Sequence, residues 1–320
     1  MALAAWCLTR GGLRPVVDVE ELLRSESPGW IDLEIGDLPL LEPFRDLLLG
    51  HPLSWEDASK PGQRPKLEDH GDHLFLIVRS LDTRKEWLAL QLQTLQMACF
   101  LGTRHLITVR SGALKAVDEV RERLERGLAP PSEGPDGILH AVLDSIVDAY
   151  APHMDRWEEE VERLDKEALR DPKAQVLGRI LAIRKHMVKL RRLAAGQAEI
   201  LGELSHGREG LIQPSARPYF KDVHDHLVSV LEAADSLRDS VWIAVDIYLN
   251  SVNNRLNQIM KVLTVMSALM LPLTLVTGVF GMNFVVIPGL HHPQGFWWTM
   301  GGMAALALLL LLVFRRYRLL

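Results

Sequence analysis

Residues 262–280 read "VLTVMSALMLPLTLVTGVF", nineteen positions without a charged side chain. Residues 296–314, "FWWTMGGMAALALLLLLVF", form a second charge-free stretch of the same length. A helix that crosses the hydrocarbon core of a bilayer needs about 20 apolar residues, so both stretches qualify as membrane spans. The segment between them is too short for a domain, and the two spans therefore form a hairpin. A buried hairpin in a soluble protein is the alternative.

Basic residues flank this hairpin on one side of the bilayer. Arg255 and Lys261 precede the first span, and Arg315, Arg316 and Arg318 follow the second. Loops and tails rich in Lys and Arg stay on the cytoplasmic side. The sequence therefore predicts a multi-pass protein of the cytoplasmic (inner) membrane with both termini in the cytoplasm.

The chain before the spans divides into a mixed part and a helical part. Residues 1–130 alternate in type: "WIDLEI", "HLFLIVRSL", "LALQLQTLQMACFLG" and "HLITVR" indicate strands, and "LLEPFRDLLLG" and "GALKAVDEVRERLERG" indicate helices. The cluster "LAPPSEGPDG" (128–137) ends this α/β domain. Residues 131–218 predict a helical hairpin, with one helix from Ile138 to about Arg170 and a second from about Lys173 to Ser205.

A third, much longer helix is expected over residues 219–281, with the first span at its end (about 260–281). No proline interrupts it before Pro272, and some 60 residues would extend roughly 90 Å. A 4-3 spacing of apolar residues marks its first half: Val223, Leu227, Val230, Ala234, Leu237, Val241 and Ala244. Such a stripe is typical either of an oligomer seam or of packing against the same chain.

The second half of this helix carries small and polar residues at alternating steps of four and three. They are Asp246, Asn250, Asn253, Asn257, Met260, Thr264, Ser267, Leu271, Thr274, Gly278 and Gly281. Polar side chains in a span normally face a bundle interior or water, although Ser and Thr also serve as small packing residues between spans. A continuous stripe favours a pore. Two spans cannot enclose one, so the stripe predicts a cyclic homo-oligomer.

The triplet Gly281, Met282 and Asn283 opens the loop over residues 282–295 and predicts the mouth of that pore. The last carbonyls of a helix lack intrahelical partners and carry the negative end of its dipole, which attracts cations. Asn283 adds a neutral acceptor that can bind the water shell of a hydrated dication. Gly281 allows close approach of backbones.

Composition excludes other functions. The net charge of −5 argues against nucleic-acid binding, and Cys7 and Cys99 are too few for a disulfide framework. We find no phosphate-binding loop or nucleophile–base arrangement that would indicate an enzyme or a resident cofactor. The expected partners are the lipid bilayer, divalent cations and further copies of the chain. A membrane-anchored structural or sensory protein remains the alternative function.

The stretch "NNRLNQIMKVLTVMSALMLPLTLVTGVFGMNF" (253–284) resembles the pore helix and signature of the CorA family of divalent-cation transporters, and "HPLSWEDASKPGQRPKLEDHGDHLFLIVRSL" (51–81) resembles its cytoplasmic domain. The resemblance implies an α+β cytoplasmic domain of the α/β sandwich type, long helices and a two-helix transmembrane hairpin, assembled as a funnel-shaped homopentamer. It implies that Gly281, Met282 and Asn283 are the selectivity signature. It also implies a pore lining that includes Asn257, Met260, Leu263, Leu271 and Thr274. Asp246 would form an acidic ring near the cytoplasmic entry of the pore. Asp57 and Asp222 would bind a regulatory metal.

The loop departs from the magnesium-type pattern of that family. "IPGL" (287–290) has Gly289 where an acidic residue is typical, and residues 282–300 contain no Asp, Glu, Lys or Arg. "IPG" followed by "PQGFWW" resembles the ZntB branch, which is associated with zinc transport. His291 and His292 are candidate zinc ligands in the loop, because imidazole is a favoured zinc ligand. We therefore expect Zn²⁺ to be preferred, with Mg²⁺ or Co²⁺ as the alternative cargo; such cations are transported or regulatory.

Overall fold

The computed structural model describes residues 3–9, 12–82, 92–207, 210–283, 287–289 and 292–317. The chain separates into two compact units. The first unit comprises Met1–Glu167 and Lys173–Val245, and the second comprises Ala168–Pro172 and Asp246–Leu320. The helical hairpin predicted over residues 131–218 lies largely in the same unit as the strands.

The first unit is built on a mixed sheet of seven strands, and its order is β2-β1-β3-β7-β6-β5-β4. All neighbours pair antiparallel except β3 and β7, which are parallel. The strands are β1 Ala4–Thr9, β2 Gly12–Pro15, β3 Gly29–Glu34, β4 Lys66–Asp69, β5 His73–Leu81, β6 Thr94–Gly102 and β7 His105–Arg110. Each of the four stretches predicted as strands contains one, although β6 begins at Thr94 and residues 88–91 of its predicted stretch lie outside the described residues. The strands β1, β2 and β4 were not expected.

Helices cover both faces of this sheet. They are α1 Val19–Arg24, a 3-10 helix at Ile35–Leu47, α2 Pro52–Ser59, α3 Lys115–Glu125 and α4 Pro135–Asp148. One face packs α1, α2 and the 3-10 helix on strand residues such as Ile31, Phe75 and Phe100. On the other face α4 contacts β3, β5, β6 and β7. The α/β sandwich expected from the resemblance is confirmed.

Two predicted helices differ from the structure, and proline explains both. The segment "LLEPFRDLLLG" lies mostly in the 3-10 helix, where Pro39 and Pro43 have no N–H for regular α-helical bonds. The helix expected from Ile138 to Arg170 is two helices, α4 and α5 Ala151–Arg170. Pro152 lies in the first turn of α5, and it has no N–H to bond the carbonyl of Asp148 four residues earlier, as a continuous helix would require.

The remaining helices of the chain are long, and one of them runs from the first unit into the second. They are α6 Ala174–His206, α7 Arg217–Phe280 and α8 Gly295–Arg316. The 4-3 stripe of α7 from Val223 to Ala244 is buried within the single chain. Its neighbour is α6, since Arg191 on α6 pairs with Asp235 on α7 at 2.8 Å. The stripe is therefore packing within the chain rather than an oligomer seam.

Among the described residues, α7 and α8 are the two helices long and apolar enough to cross a membrane. The apolar part of each is almost entirely exposed in the single chain. Each helix has one partly covered stripe. Val265 is buried, and Ala268, Leu269, Pro272, Leu273 and Val276 are partly covered on α7; Thr299, Met303, Leu306, Ala307, Leu310 and Phe314 are partly covered on α8. We assign these stripes as the faces on which the two spans pack.

Candidate ion pathway and cation sites

The predicted pore lining lies on the open side of α7. Asp246, Asn250, Asn253, Asn257, Met260, Leu263, Thr264, Ser267, Leu271, Thr274 and Gly278 are all exposed in the single chain. An α-helix turns by about 100° per residue, so positions such as Ser267, Leu271 and Gly278 lie opposite the covered stripe around Val265. The face with the small and polar residues is therefore the face that the chain itself leaves uncovered.

The hydroxyl groups on this face are bonded to the helix but keep their acceptor capacity. Thr264 Oγ1 donates to the carbonyl of Met260 at 2.8 Å, and Thr274 Oγ1 donates to that of Met270 at 2.8 Å. This bonding is what Ser and Thr show when they act as packing residues. However, each hydroxyl oxygen retains lone pairs, so the stripe can still accept hydrogen bonds from water around a cation.

The Gly-Met-Asn triplet is the C-terminal end of α7. The Gly281 N–H donates to the Thr277 carbonyl at 2.9 Å, and the Met282 N–H donates to that of Val279 at 3.3 Å. A Cβ on Gly281 would lie 3.1 Å from the Thr277 carbonyl oxygen, which is the close approach that glycine permits. Met282 and Asn283 are exposed. The triplet therefore presents the free end of the helix and an amide to solvent.

The structure describes one of the two loop histidines. His291 lies outside the described residues. His292 lines a cavity of about 280 Å³ with Phe280, Gly289, Gly295, Trp298 and Thr299. Its Nδ1 accepts a hydrogen bond from the Gln294 N–H at 3.2 Å, so Nε2 carries the proton in the neutral ring. Binding of zinc through Nε2 would have to displace that proton and this hydrogen bond.

The two carboxylates assigned to a regulatory metal by resemblance have different surroundings. Asp57 binds Lys66 Nζ at 2.6 Å and Gln63 Nε2 at 3.1 Å, so a cation would compete with an ammonium group there. Asp222 is 68% exposed at the level of its side chain and lies 3.9 Å from His226 Nε2. The structure does not bring Asp57 into contact with Asp222 in one chain.

A cluster of candidate cation ligands that sequence reasoning missed lies beside Asp222. Asp144 and Asp148 on α4 and His226 on α7 each offer a ligand atom, and these atoms lie within 4.8 Å of one another. Partial burial, together with the Asp144 carboxylate, raises the pKa of Asp148 above its ordinary value. The i, i+4 spacing of each helix pair is visible in the sequence, but only the packing of α4 against α7 joins them.

The family model described as "CorA-like Mg2+ transporter protein" matches residues 25–316. The chain belongs to this family. It is therefore a divalent-cation transporter of the CorA family, with two candidate membrane spans at its C-terminal end. This is a family of transporters rather than enzymes.

Relatives of this family differ in how similar they are to the chain. The cobalt/magnesium transport protein CorA of Thermotoga maritima is 28% identical over 305 residues, covering 93% of this chain and 86% of that protein. The zinc transport protein ZntB of Pectobacterium carotovorum is 25% identical over 288 residues, covering 90% and 86%. The family resemblance is confirmed, and the cobalt/magnesium relative is more similar than the zinc relative.

A solved structure supports the fold in full. The complete CorA magnesium transporter of Methanocaldococcus jannaschii superposes with a TM-score of 0.82 at 21% identity, covering 99% of this chain and 98% of that one. The chain therefore shares the fold of that protein, an α/β domain followed by a long helix and two C-terminal apolar helices.

Proposed function

We propose that several identical copies of the chain surround an aqueous path for divalent cations, lined by the stripe from Asp246 to Gly278 on α7. The observation that carries this proposal is that the small and polar face of α7 is exposed and lies opposite the face that packs within the chain. A polar face exposed in a span has to meet water or another copy of itself. The family resemblance supports five copies in the cytoplasmic membrane, and the Arg and Lys residues that flank the two spans support termini on the cytoplasmic side.

The Gly281–Asn283 triplet forms the entrance of this path in the proposal. Five exposed helix ends would bring their last carbonyls and Asn283 amides around one axis, where they select a hydrated dication without removing its waters. The ring of Asp246 carboxylates at the other end would raise the local cation concentration. No charged group lies between Met282 and Met300, so the entrance acts through dipoles.

Zn²⁺ is the cargo that we infer from the loop. A loop without carboxylates attracts hydrated Mg²⁺ less strongly than an acidic loop does, and it matches the ZntB-like pattern "IPG" with "PQGFWW". Mg²⁺ and Co²⁺ are the second candidates, favoured by the greater similarity to the Thermotoga cobalt/magnesium protein.

Uptake into proteoliposomes tests this function. Asn283→Ala is expected to lower uptake of the preferred cation at least tenfold, because the amide at the entrance is lost. Asn254→Ala is the matched control; Asn254 adjoins Asn253 but points away from the stripe on α7, and we expect normal uptake. Parallel assays with Zn²⁺, Mg²⁺ and Co²⁺ rank the cargo. Unchanged uptake of every cation by Asn283→Ala would exclude the triplet as the entrance.

A regulatory cation is the second part of the proposal. Asp144, Asp148 and His226, with Asp222 nearby, would hold a divalent cation between α4 and α7; Asp57 would join only by releasing Lys66. Because a bound cation offsets the repulsion between the two carboxylates, it should stabilise the folded chain.

Thermal unfolding of the purified chain with added Co²⁺ measures this effect. The cation is expected to raise the melting temperature of the wild type by about 3 °C or more. The Asp144→Asn, Asp148→Asn double variant should lose most of that rise, and Asp155→Asn, a change to an exposed carboxylate on α5, should keep it. Equal shifts in the double variant and the wild type would contradict a cation at this cluster.

A further inference from the structure

The turn between β4 and β5 carries an unusual set of histidines. It reads "EDHGDH" over residues 68–73. The rings of His70 and His73 are stacked, with centroids 4.7 Å apart and planes inclined by 13°. The ring of His51 stacks on His70 at 5.9 Å. Three imidazoles therefore lie together on the α2 side of the sheet edge.

The hydrogen bond to Asp72 fixes the tautomer of the His73 ring. Its Nδ1 lies 2.6 Å from Asp72 Oδ1, and the Asp72 side chain is 71% exposed. An ionised carboxylate only accepts, so Nδ1 carries the proton and Nε2 of the neutral ring carries a lone pair. The His73 side chain is 5% exposed, and its buried Nε2 has no hydrogen-bond partner among the described residues.

The ring of His70 adjoins that of His73, and Glu68 in turn adjoins His70. Glu68 Oε1 accepts a hydrogen bond from Lys66 Nζ at 2.6 Å, so Oε2 is the oxygen left for a metal. His70 Nε2 lies 3.6 Å from Glu68 Oε2, and the two side chains are 27% and 39% exposed. His51 differs, because its Nδ1 accepts the Leu53 N–H at the start of α2 at 3.2 Å. Its Nε2 therefore carries the proton, and His51 acts as a helix cap rather than a ligand.

We propose that the β4–β5 turn is a binding site for a divalent transition metal such as Zn²⁺, with His73 Nε2 as the first ligand and His70 and Glu68 completing it. A carboxylate that accepts from one imidazole nitrogen while the other nitrogen keeps its lone pair is the arrangement that orients metal-binding histidines. Imidazole nitrogens select Zn²⁺, Ni²⁺ or Cu²⁺ over Mg²⁺, which prefers oxygen ligands.

Binding requires one movement. The rings of His70 and His73 are stacked rather than convergent, so His70 has to turn until its nitrogen approaches the metal on His73. The partial exposure of His70 allows this rotation, and no atom lies within 4 Å of where a Cβ on Gly71 would be. The site lies entirely in the first unit and shares no residue with the pathway on α7, so it does not rest on the proposed transport function.

Calorimetric titration of the full-length chain, purified without a histidine tag, tests the proposal directly. Zn²⁺ is the probe, in excess Mg²⁺ that occupies oxygen-only sites. His73→Phe and His70→Phe are each expected to weaken Zn²⁺ binding at this site at least tenfold or to remove one equivalent of bound metal. His206→Phe, a change to an exposed histidine at the end of α6, is the control and should titrate as the wild type does.

A second measurement covers the case in which His73→Phe does not fold. Asp72→Asn changes an exposed side chain and replaces the charged carboxylate that orients His73 by a neutral amide, which is a weaker acceptor; it is expected to weaken Zn²⁺ binding about tenfold. Electron paramagnetic resonance of bound Cu²⁺ should show coupling to one fewer nitrogen in His70→Phe. Wild-type affinity, stoichiometry and nitrogen coupling in His70→Phe and Asp72→Asn would overturn the proposal.

Discussion

At the scale of single residues, the sheet contains a buried ion pair whose charge depends on pH. Arg110 Nη2 lies 2.9 Å from Asp32 Oδ2, and both side chains are 2% exposed. Thr108 Oγ1 donates to Asp32 at 2.7 Å and accepts from Trp30 Nε1 at 3.0 Å. Despite these partners, burial raises the pKa of Asp32 to about 6 from 3.8. Removal of a carboxylate from water disfavours its charged form.

This pKa predicts how the stability of the chain changes between pH 4 and pH 6. The folded chain holds the Asp32 proton more tightly than the unfolded chain does, so protons leave the unfolded state first as the pH rises. The contribution of Asp32 to the free energy of unfolding is therefore greatest near pH 4 and falls by on the order of 3 kcal/mol towards pH 6. Chemical denaturation of the purified protein across this range measures it.

Asp32→Asn supplies the reference for that measurement, because asparagine does not titrate. In the variant Arg110 faces a neutral amide at every pH, as it faces the protonated Asp32 of the wild type near pH 4. Only the pH dependence of the difference between the two proteins matters. The free energy of unfolding of the wild type minus that of Asp32→Asn should decrease from pH 4 to pH 6 and stay constant above pH 7. An increase over the same interval would show that the Arg110 charge, rather than burial, governs Asp32.

Residue spacing was enough to propose the polar stripe, but it missed two candidate cation sites for a physical reason. The stripe from Asp246 to Gly278 lies on one helix, so a helical period was enough to find its members. The cluster of Asp144, Asp148 and His226 depends on two helices meeting, and the orphaned nitrogen of His73 depends on a turn between strands. No local period encodes either juxtaposition.

At the scale of secondary-structure elements, the break between α4 and α5 shows what patterning alone leaves out. The apolar period continues across Ala149 and Tyr150, which is why one helix was expected. Tyr150 is instead fully buried, and its hydroxyl donates to the Arg79 carbonyl at 2.9 Å and accepts from Gln197 Nε2 at 2.8 Å. These tertiary hydrogen bonds hold Tyr150 in the break, and Pro152 follows in the first turn of α5.

The covered stripe of α8 gives a prediction for the hairpin of spans. Ala307 lies on this stripe, and Ala305 lies on the opposite, exposed side of the same helix. Ala307→Phe should overpack the contact with α7 and cost about 1–3 kcal/mol, lowering the melting temperature of the detergent-solubilised protein.

Ala305→Phe is the matched control, because it adds the same volume on the exposed side. We expect its melting temperature to stay close to that of the wild type. If Ala305→Phe were the more damaging change, the assignment of the packing face of α8 would be wrong.

At the scale of the whole molecule, the question is which face of α7 meets other copies. In a single chain, both the stripe and its neighbouring faces are exposed: Ser267 belongs to the stripe, and Met266 is 57% exposed beside it. One residue along a helix rotates a side chain by about 100°. Cysteines at these two positions therefore lie at nearly the same depth in the membrane but point in two different directions from α7.

Ser267→Cys is expected to link into covalent dimers when membranes are treated with a flexible bis-maleimide reagent, because copies of the stripe converge on one axis. Met266→Cys should link far less, since its side chain points away from that axis. Cys7 is partly exposed and Cys99 is buried, so the wild type treated in the same way sets the background. Equal linking at both positions would mean that the polar stripe does not line a shared path, and the pore would then have to be sought on another face of α7.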